Sequence, residues 1–117
     1  MIRGIGVDVV EIERIQQAID RFGDRFLRKV YTPFEIAACG KRSKLRFPEL
    51  AARYAAKEAY TKAIGTGLRG IALRNIEVRN DPRGKPYIVV PKKYPQKTEV
   101  TLTHGRETAI AVVIVQD

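Results

Sequence analysis

Residues 48–65, PELAARYAAKEAYTKAIG, are the stretch of sequence that decides the fold. Proline is favoured in the first turn of a helix and glycine just beyond the last one, so this segment predicts a helix that begins at Pro48 and that Gly65 terminates. Its alanines are spread around the whole circumference instead of forming one stripe. Neighbouring elements can therefore approach this helix closely from several sides.

Two charged residues of this helix, Glu58 and Lys62, are four positions apart and about 40° from each other around the axis. The small Ala51 and Ala55 share their face, as if the charged groups lined a hollow. An exposed Glu–Lys pair at this spacing contributes only about 0.3–0.5 kcal/mol, so stability is a weak reason to place it there. Taken alone, the segment fits either a binding site or an ordinary surface ion pair.

The first ten residues, MIRGIGVDVV, alternate like a strand with two unlike faces. One face is apolar and carries Ile5, Val7 and Val9. The other face combines two glycines, Gly4 and Gly6, with the carboxylate of Asp8. Because glycine has no side chain, we expect the second face to let a bulky anionic ligand approach the backbone. Asp8 and Glu58 together would form the two-carboxylate set that Mg²⁺ takes alongside phosphate oxygens and water.

Two further helices are predicted before residue 48. Apolar residues at helical spacing predict a first helix from about residue 11 to Phe22 or slightly beyond. The sequence Thr32-Pro33-Phe34-Glu35 is typical of a capping box and opens a short helix that Gly40 can close. A basic loop is expected at 41–46.

After Gly70 the helical pattern gives way to short apolar or alternating runs that predict four strands, at 75–79, 86–90, 100–103 and 109–115. A turn is expected at 80–84 and a tight one at 104–106. The order of elements predicts one α+β domain over residues 1–117, with helices packed against a mostly antiparallel sheet.

The amino-acid composition limits the kinds of partner, metal site and compartment that this protein can have. The 117 residues include 22 Lys and Arg against 13 Asp and Glu, a net charge of +9, which favours an anionic partner such as nucleic acid, anionic lipid, a phosphorylated cofactor or an acidic protein. A single cysteine, Cys39, excludes an internal disulfide, and one histidine excludes a Cys/His zinc cluster. With no membrane-length apolar run and no signal-peptide pattern, we expect a soluble cytosolic protein.

Two motifs occur in a set order and spacing: Gly6-Val7-Asp8 with Glu11 and Arg14, and RYAAKEA at 53–59 with Lys62 and Ala63. They resemble the signatures of the 4′-phosphopantetheinyl transferases, specifically the short holo-acyl-carrier-protein synthase type. The likeness continues through 65–67, 84–87 and 102–104 and so covers nearly the whole chain. It implies the fold of that family.

The resemblance implies that Asp8 and Glu58 bind Mg²⁺, which bridges them to the diphosphate of coenzyme A. A serine of acyl carrier protein would attack the β-phosphorus and release adenosine 3′,5′-bisphosphate, in the service of fatty acid biosynthesis. Lys62 would neutralise or protonate the leaving phosphate. Either Glu58 or a metal-bound water would take the serine proton, so Asp8, Glu58 and Lys62 are the implied catalytic residues.

The resemblance also implies the contacts with substrates and partners. Coenzyme A would be held by Arg53, Lys62, Gly65, Thr66, Lys85, Pro86 and His104. The acidic carrier protein would dock on a basic stripe formed by Arg14, Arg21, Arg25 and Arg28. The stripe is continuous if the first helix persists as far as Arg28. Ala18, within that stripe, occupies a position where a larger apolar anchor is expected. The resemblance to family members of this short length also implies a homotrimer with active sites between subunits.

Two other classes of function fit parts of the sequence. A small nucleic-acid-binding module would use the basic surplus, but aromatic residues are only 8% of the chain and are not interleaved with basic ones. A non-catalytic interaction domain that keeps the fold is the second alternative. Transfer of phosphopantetheine to a carrier protein would distinguish the enzyme from both.

Overall fold

The fold is a small antiparallel sheet with helices on one face. The computed structural model describes residues 1–41, 43–65 and 70–117. In chain order its elements are β1 (Ile2–Glu11), α1 (Ile12–Phe22), α2 (Asp24–Val30), α3 (Pro33–Ala38), β2 (Gly40–Lys41), β3 (Lys44–Leu45), α4 (Phe47–Ile64), a 3₁₀ helix (Leu73–Asn75), β4 (Glu77–Asn80), β5 (Pro86–Val89), β6 (Thr98–His104) and β7 (Thr108–Gln116). This confirms the predicted α+β class.

The central sheet has the strand order β1-β7-β6, and both pairings are antiparallel. Helix α4 crosses one face of it and packs against all three strands. The alanines that the sequence distributes around this helix are buried there: Ala51, Ala52, Ala55, Ala56 and Ala59. Separate antiparallel hairpins are formed by β2–β3 and β4–β5. No helix in the described ranges combines the length and the apolar character needed to cross a membrane.

The glycines of β1 have a different role from the one predicted. A Cβ atom on Gly6 would lie 1.9 Å from the carbonyl oxygen of Ala59, and one on Gly4 would lie 1.9 Å from that of Ala63. The glycine face of the strand is therefore filled by the backbone of α4, and the expectation that a ligand approaches there is wrong. The glycines bring Asp8 close to α4 by letting strand and helix touch.

Helix boundaries agree with the sequence except after Phe22. Helix α1 ends there, and Gly23, with a φ of 58°, separates it from α2, a helix that the sequence pattern did not reveal. The capping box is confirmed, because the Glu35 amide donates to Thr32 Oγ1 and the Thr32 amide donates to Glu35 Oε1. Gly65 ends α4 in the left-handed conformation, as expected. The basic segment expected as a loop contains the β2–β3 hairpin instead; its Arg42 lies outside the described residues.

Candidate functional site

The three residues implied to be catalytic come together from two elements. Asp8 on β1 and Glu58 on α4 border one cavity of about 270 Å³, together with Arg14 of α1. Lys62, one turn beyond Glu58, donates from Nζ to Asp8 Oδ1 at 2.9 Å and to the Val7 carbonyl oxygen at 3.1 Å. The close packing of β1 on α4 thus places two carboxylates and one ammonium group at a single site.

The electrostatics of this site suit a divalent cation. Burial and the nearby charge of Asp8 raise the pKa of Glu58, while Lys62 and a hydrogen bond from Tyr54 act in the opposite direction. Two carboxylates that repel each other beside a cavity form a ligand set for a hard cation such as Mg²⁺. The described residues contain no group of three or more His, Cys, Asp or Glu side chains that could hold a metal ion, so phosphate oxygens and water would have to complete the coordination.

Two aromatic residues at this cavity were missed by the sequence reasoning. Tyr54 and Phe26 both line it, and their rings stack with centroids 6.5 Å apart. Tyr54 precedes Glu58 by one helical turn, so its spacing within α4 could have placed it on the same face. Phe26 belongs to α2, the helix that was not predicted. The two rings form the apolar side of a site whose other side carries the charges.

Two of the predicted coenzyme A ligands lie on the opposite side of α4. His104 Nε2 is 3.5 Å from a carboxylate oxygen of Glu49, and Arg53 Nη1 is 3.3 Å from the other oxygen of that carboxylate. Glu49 and Glu58 are nine residues apart, which puts them about 180° apart around the helix axis. One protomer therefore does not bring Arg53 and His104 into the cavity that contains Asp8 and Glu58.

The β4–β5 hairpin belongs to this second group. Asn80 accepts a hydrogen bond from Arg53 Nη2 at 3.0 Å and is the strand partner of Pro86. Arg53 is buried and its Nε has no hydrogen-bond partner among the described residues. Lys85, next to Pro86, forms an exposed ion pair with Glu99 at 3.3 Å. Glu49 and Asn80, which orient Arg53, were not singled out by sequence reasoning.

Two of the predicted coenzyme A contacts follow α4. Gly65 caps α4 one turn after Lys62. Thr66 lies outside the described residues, so its predicted role stays a prediction.

The predicted basic stripe is divided by the break at Gly23. Arg14 and Arg21 belong to α1, whereas Arg25 and Arg28 belong to α2, so the condition for one continuous stripe, that the first helix persists to Arg28, is not met. Arg25 lines a cavity of about 250 Å³ with Phe22, Phe26 and Lys29, whereas Arg28 borders another cavity on the far side of α2. Phe26 lines both the Asp8 cavity, which Arg14 borders, and the cavity of Arg25, whereas Arg28 borders neither of them.

An apolar side chain is exposed beside these arginines. Phe22 is 50% exposed at the end of α1, one turn after Ala18, and the Arg21 guanidinium lies 5.2 Å from its ring centroid. An exposed apolar side chain therefore lies one turn after Ala18, the position at which a larger apolar anchor is expected. The spacing of four residues between Ala18 and Phe22 was the signal in the sequence that placed both on the same side of the helix.

Comparisons with known proteins identify relatives along the whole chain. A family model described as the 4′-phosphopantetheinyl transferase superfamily matches residues 4–113. A holo-[acyl-carrier-protein] synthase of Halothermothrix orenii is 43% identical over 122 residues, which cover 97% of each chain. These matches favour the transferase hypothesis over the two alternatives.

Solved structures agree with the sequence relatives. A Bacillus anthracis holo-(acyl-carrier-protein) synthase in complex with CoA (3′,5′-ADP) has a TM-score of 0.83 and 36% identity, covering 98% of this chain and 96% of that one. A Helicobacter pylori holo-[acyl-carrier-protein] synthase in complex with coenzyme A has a TM-score of 0.88 and 30% identity, covering 96% of this chain and 99% of that one. The fold therefore matches theirs over nearly its full length.

Proposed function

The chain belongs to the 4′-phosphopantetheinyl transferase superfamily, and on this premise we propose that it transfers 4′-phosphopantetheine from coenzyme A to a serine of apo-acyl carrier protein. The other product is adenosine 3′,5′-bisphosphate, and the reaction serves fatty acid biosynthesis. The observation that carries the proposal is that Asp8 and Glu58 border one cavity, with Lys62 bonded to Asp8. The free thiol of Cys39 accords with a reducing cytoplasm as the compartment.

Asp8 and Glu58 are the proposed Mg²⁺ ligands. When bound, the ion would supply charge stabilisation for the diphosphate and orient it for in-line attack. Lys62 contacts Asp8 at 2.9 Å and is half exposed, so its ammonium group can turn to the leaving phosphate. Positioning by these side chains supplies much of the remaining acceleration, since phosphoryl transfer needs little covalent help from the protein.

Coenzyme A would be held between subunits. The diphosphate belongs at Asp8 and Glu58, whereas Arg53 and His104 lie across α4 from them. A cofactor that contacts both groups therefore needs His104 from a neighbouring copy of the chain. This division supports the homotrimer that the family resemblance implies.

A surface suited to this association covers the outer face of the central sheet. Cross-strand pairs join β1 to β7 there, namely Ile5–Ile114, Val7–Val112 and Val9–Ile110. Ile5, Val7 and Val9 are 61%, 54% and 61% exposed in the single protomer. Contiguous exposed apolar patches of this kind usually mark an interface. We propose that copies of the chain bury this face in the trimer.

The carrier protein would dock beside the Asp8 cavity. Arg14, Arg21 and Arg25 supply positive charge to an acidic partner, and Phe22 supplies an apolar contact. Complementary charge speeds encounter, while the desolvated aromatic contact adds affinity. Arg28, which borders a different cavity, would act through longer-range charge rather than by contact.

A direct assay tests the reaction. The purified protein is incubated with coenzyme A, apo-acyl carrier protein and Mg²⁺, and the carrier is weighed by mass spectrometry. We expect a mass gain of one phosphopantetheine group with the wild type, none with Asp8→Ala or Glu58→Ala, and an unchanged gain with the exposed control Glu107→Ala. A carrier that gains no mass from the wild type refutes the proposed function, and a folded Asp8→Ala protein that stays active refutes the metal assignment.

Mixing two inactive variants tests the shared site. Asp8→Ala and His104→Ala subunits, unfolded and refolded together, would form some sites in which an intact Asp8 faces an intact His104. In random mixed trimers about a quarter of the sites should have both residues, so activity should reappear at about that level. No recovery, with mixed trimers demonstrated by native mass spectrometry, would place both residues in a site within one subunit.

A further inference from the structure

A buried ion pair lies directly behind the proposed metal site. Lys57 precedes Glu58 on α4, and its side chain points into the protein while Glu58 points to the cavity. Lys57 Nζ donates to Glu35 Oε1 at 2.7 Å, to the Leu73 carbonyl oxygen at 3.1 Å and to the Ile76 carbonyl oxygen at 2.5 Å. All three ammonium protons therefore have acceptors inside the protein.

Glu35 extends these contacts to two further segments. Its Oε1 also accepts from the Thr32 amide at 3.0 Å, which forms the capping box of α3. Its Oε2 accepts from the Val78 amide at 3.0 Å, at the start of β4. Both side chains are fully buried. The pair thus connects α3, α4, the 3₁₀ helix and β4 at one point.

Stability alone explains this pair poorly. Taking two charges out of water costs several kcal/mol per ion, and well-packed apolar replacements of a buried pair are often neutral or stabilising. An apolar pair could fill the space between α3 and α4. It could not hold two backbone carbonyls and an amide of residues 73–78 at fixed positions.

The segment held by Lys57 forms a wall of a second cavity at Glu58. This cavity, of about 410 Å³, is bordered by Glu58, Tyr54 and the segment 71–73. Glu58 and Tyr54 also border the cavity that contains Asp8. Lys57 donates a hydrogen bond to the carbonyl of Leu73. The position of this wall relative to Glu58 therefore depends on Lys57, the residue that precedes Glu58 on α4.

We propose that Glu35 and Lys57 are positioning residues for the transfer reaction, which fix segment 71–73 opposite Glu58 and so set the geometry of the substrate bound beside that carboxylate. This inference rests on the proposed function. A displacement of about 1 Å at a reacting centre can lower the rate about 100-fold. Loss of the pair should therefore lower kcat in a protein that remains folded.

The test replaces both charges together. Glu35→Leu with Lys57→Met leaves no unpaired buried charge, so we expect a folded protein whose amide hydrogen exchange increases at residues 71–78 and at Thr32, whose amide loses its Glu35 acceptor. Its kcat should fall at least tenfold, while the Mg²⁺ concentration that gives half-maximal activity changes less than twofold. Tyr31→Phe is the control, because it removes a buried hydrogen bond to the Leu50 carbonyl oxygen that does not involve residues 71–78. It should lower the unfolding temperature and leave kcat unchanged.

The outcomes separate this inference from the proposed function. A wild type without transfer activity refutes the function itself. An active wild type with a folded double variant whose kcat is within twofold of it refutes only the positioning role. If the double variant does not fold, Glu35→Gln, which keeps the size of the side chain, takes its place. A kcat of Glu35→Gln within twofold of the wild type would then overturn the inference, and a fall of at least fivefold with exchange increased at 71–78 would support it.

Discussion

Gly6 of β1 and Ala59 of α4 touch backbone to backbone, so closely that a Cβ on Gly6 would lie 1.9 Å from the Ala59 carbonyl oxygen. Asp8 is two residues beyond Gly6 and Glu58 immediately precedes Ala59, so this contact sets the separation of the two carboxylates. The main packing contact of the fold and the proposed metal site therefore depend on the same pair of elements.

Gly6→Ala should disrupt the protein rather than only its activity. The added methyl group meets backbone atoms, which cannot move aside as a flexible side chain can, and we expect the free energy of unfolding to fall by roughly 3 kcal/mol or more. Gly105→Ala is the matched control, since a Cβ there meets no atom within 4 Å. Its effect should stay within about 0.5 kcal/mol. Urea unfolding of both variants measures the difference, and a Gly6→Ala protein as stable as the wild type would contradict the close packing of β1 on α4.

The same contact explains why the sequence predicted the proximity of Asp8, Glu58 and Lys62 better than it predicted their surroundings. Residue type and spacing marked Asp8, Glu58 and Lys62, because they are carried by one strand and one strongly patterned helix. The glycines were interpreted as space for a ligand. A missing side chain indicates that another group approaches closely, but it does not tell whether that group is a ligand or another part of the protein. Only the packing of β1 against α4 in the folded structure identifies Ala59 as the neighbour of Gly6.

Residues whose partners are distant in the chain were the ones missed. Phe26 reaches the cavity through a helix that begins after Gly23, and the 3.6-residue pattern continues across that break without marking it. Lys57 and Glu35 are 22 residues apart, and a buried lysine is hard to recognise from sequence because most lysines are exposed. The side of α4 on which Arg53 and His104 meet became apparent only from their contacts with Glu49.

Glu58→Gln should stabilise the protein in the absence of metal. Burial and the charge of Asp8 raise the pKa of Glu58 from its ordinary value in the fold. The folded state thus favours the protonated acid, so stability from this group is present below the unfolded pKa and is lost as the pH rises through the folded pKa. At pH 7.5 the neutral amide removes this repulsion. We expect a higher unfolding temperature for Glu58→Gln than for the wild type in EDTA.

Added Mg²⁺ should reverse that order. At a hundred times its dissociation constant, the ion would stabilise the wild type by about 2.7 kcal/mol, whereas Glu58→Gln, with one carboxylate ligand fewer, should respond much less. Thermal unfolding with and without MgCl₂ measures both effects. Equal responses of the two proteins would argue against Glu58 as a ligand.

Val7→Lys should separate the subunits. Val7 is 54% exposed in the protomer and pairs with Val112 at the middle of the apolar sheet face. A lysine buried there would lose its hydration without an ion-pair partner, so in sedimentation velocity we expect a monomer for the variant and a trimer for the wild type. Val89→Lys, at a position that is 39% exposed on β5, is the control and should leave the trimer intact. A wild type that sediments as a monomer would contradict the proposed assembly.

Phe22→Ser should weaken docking of the carrier protein without changing the handling of coenzyme A. Phe22 is 50% exposed beside Arg21, and covering such a ring contributes about 1–2 kcal/mol, so the KM for apo-acyl carrier protein should rise about tenfold. The KM for coenzyme A should stay the same, because the ring lies outside the cavity of Asp8 and Glu58. Phe34 is a close match, since it is 51% exposed with Arg79 4.9 Å from its ring centroid, but it lies on α3. Phe34→Ser should therefore leave both constants unchanged, and an equal rise in the carrier KM for the two variants would show that Phe22 is not a specific docking contact.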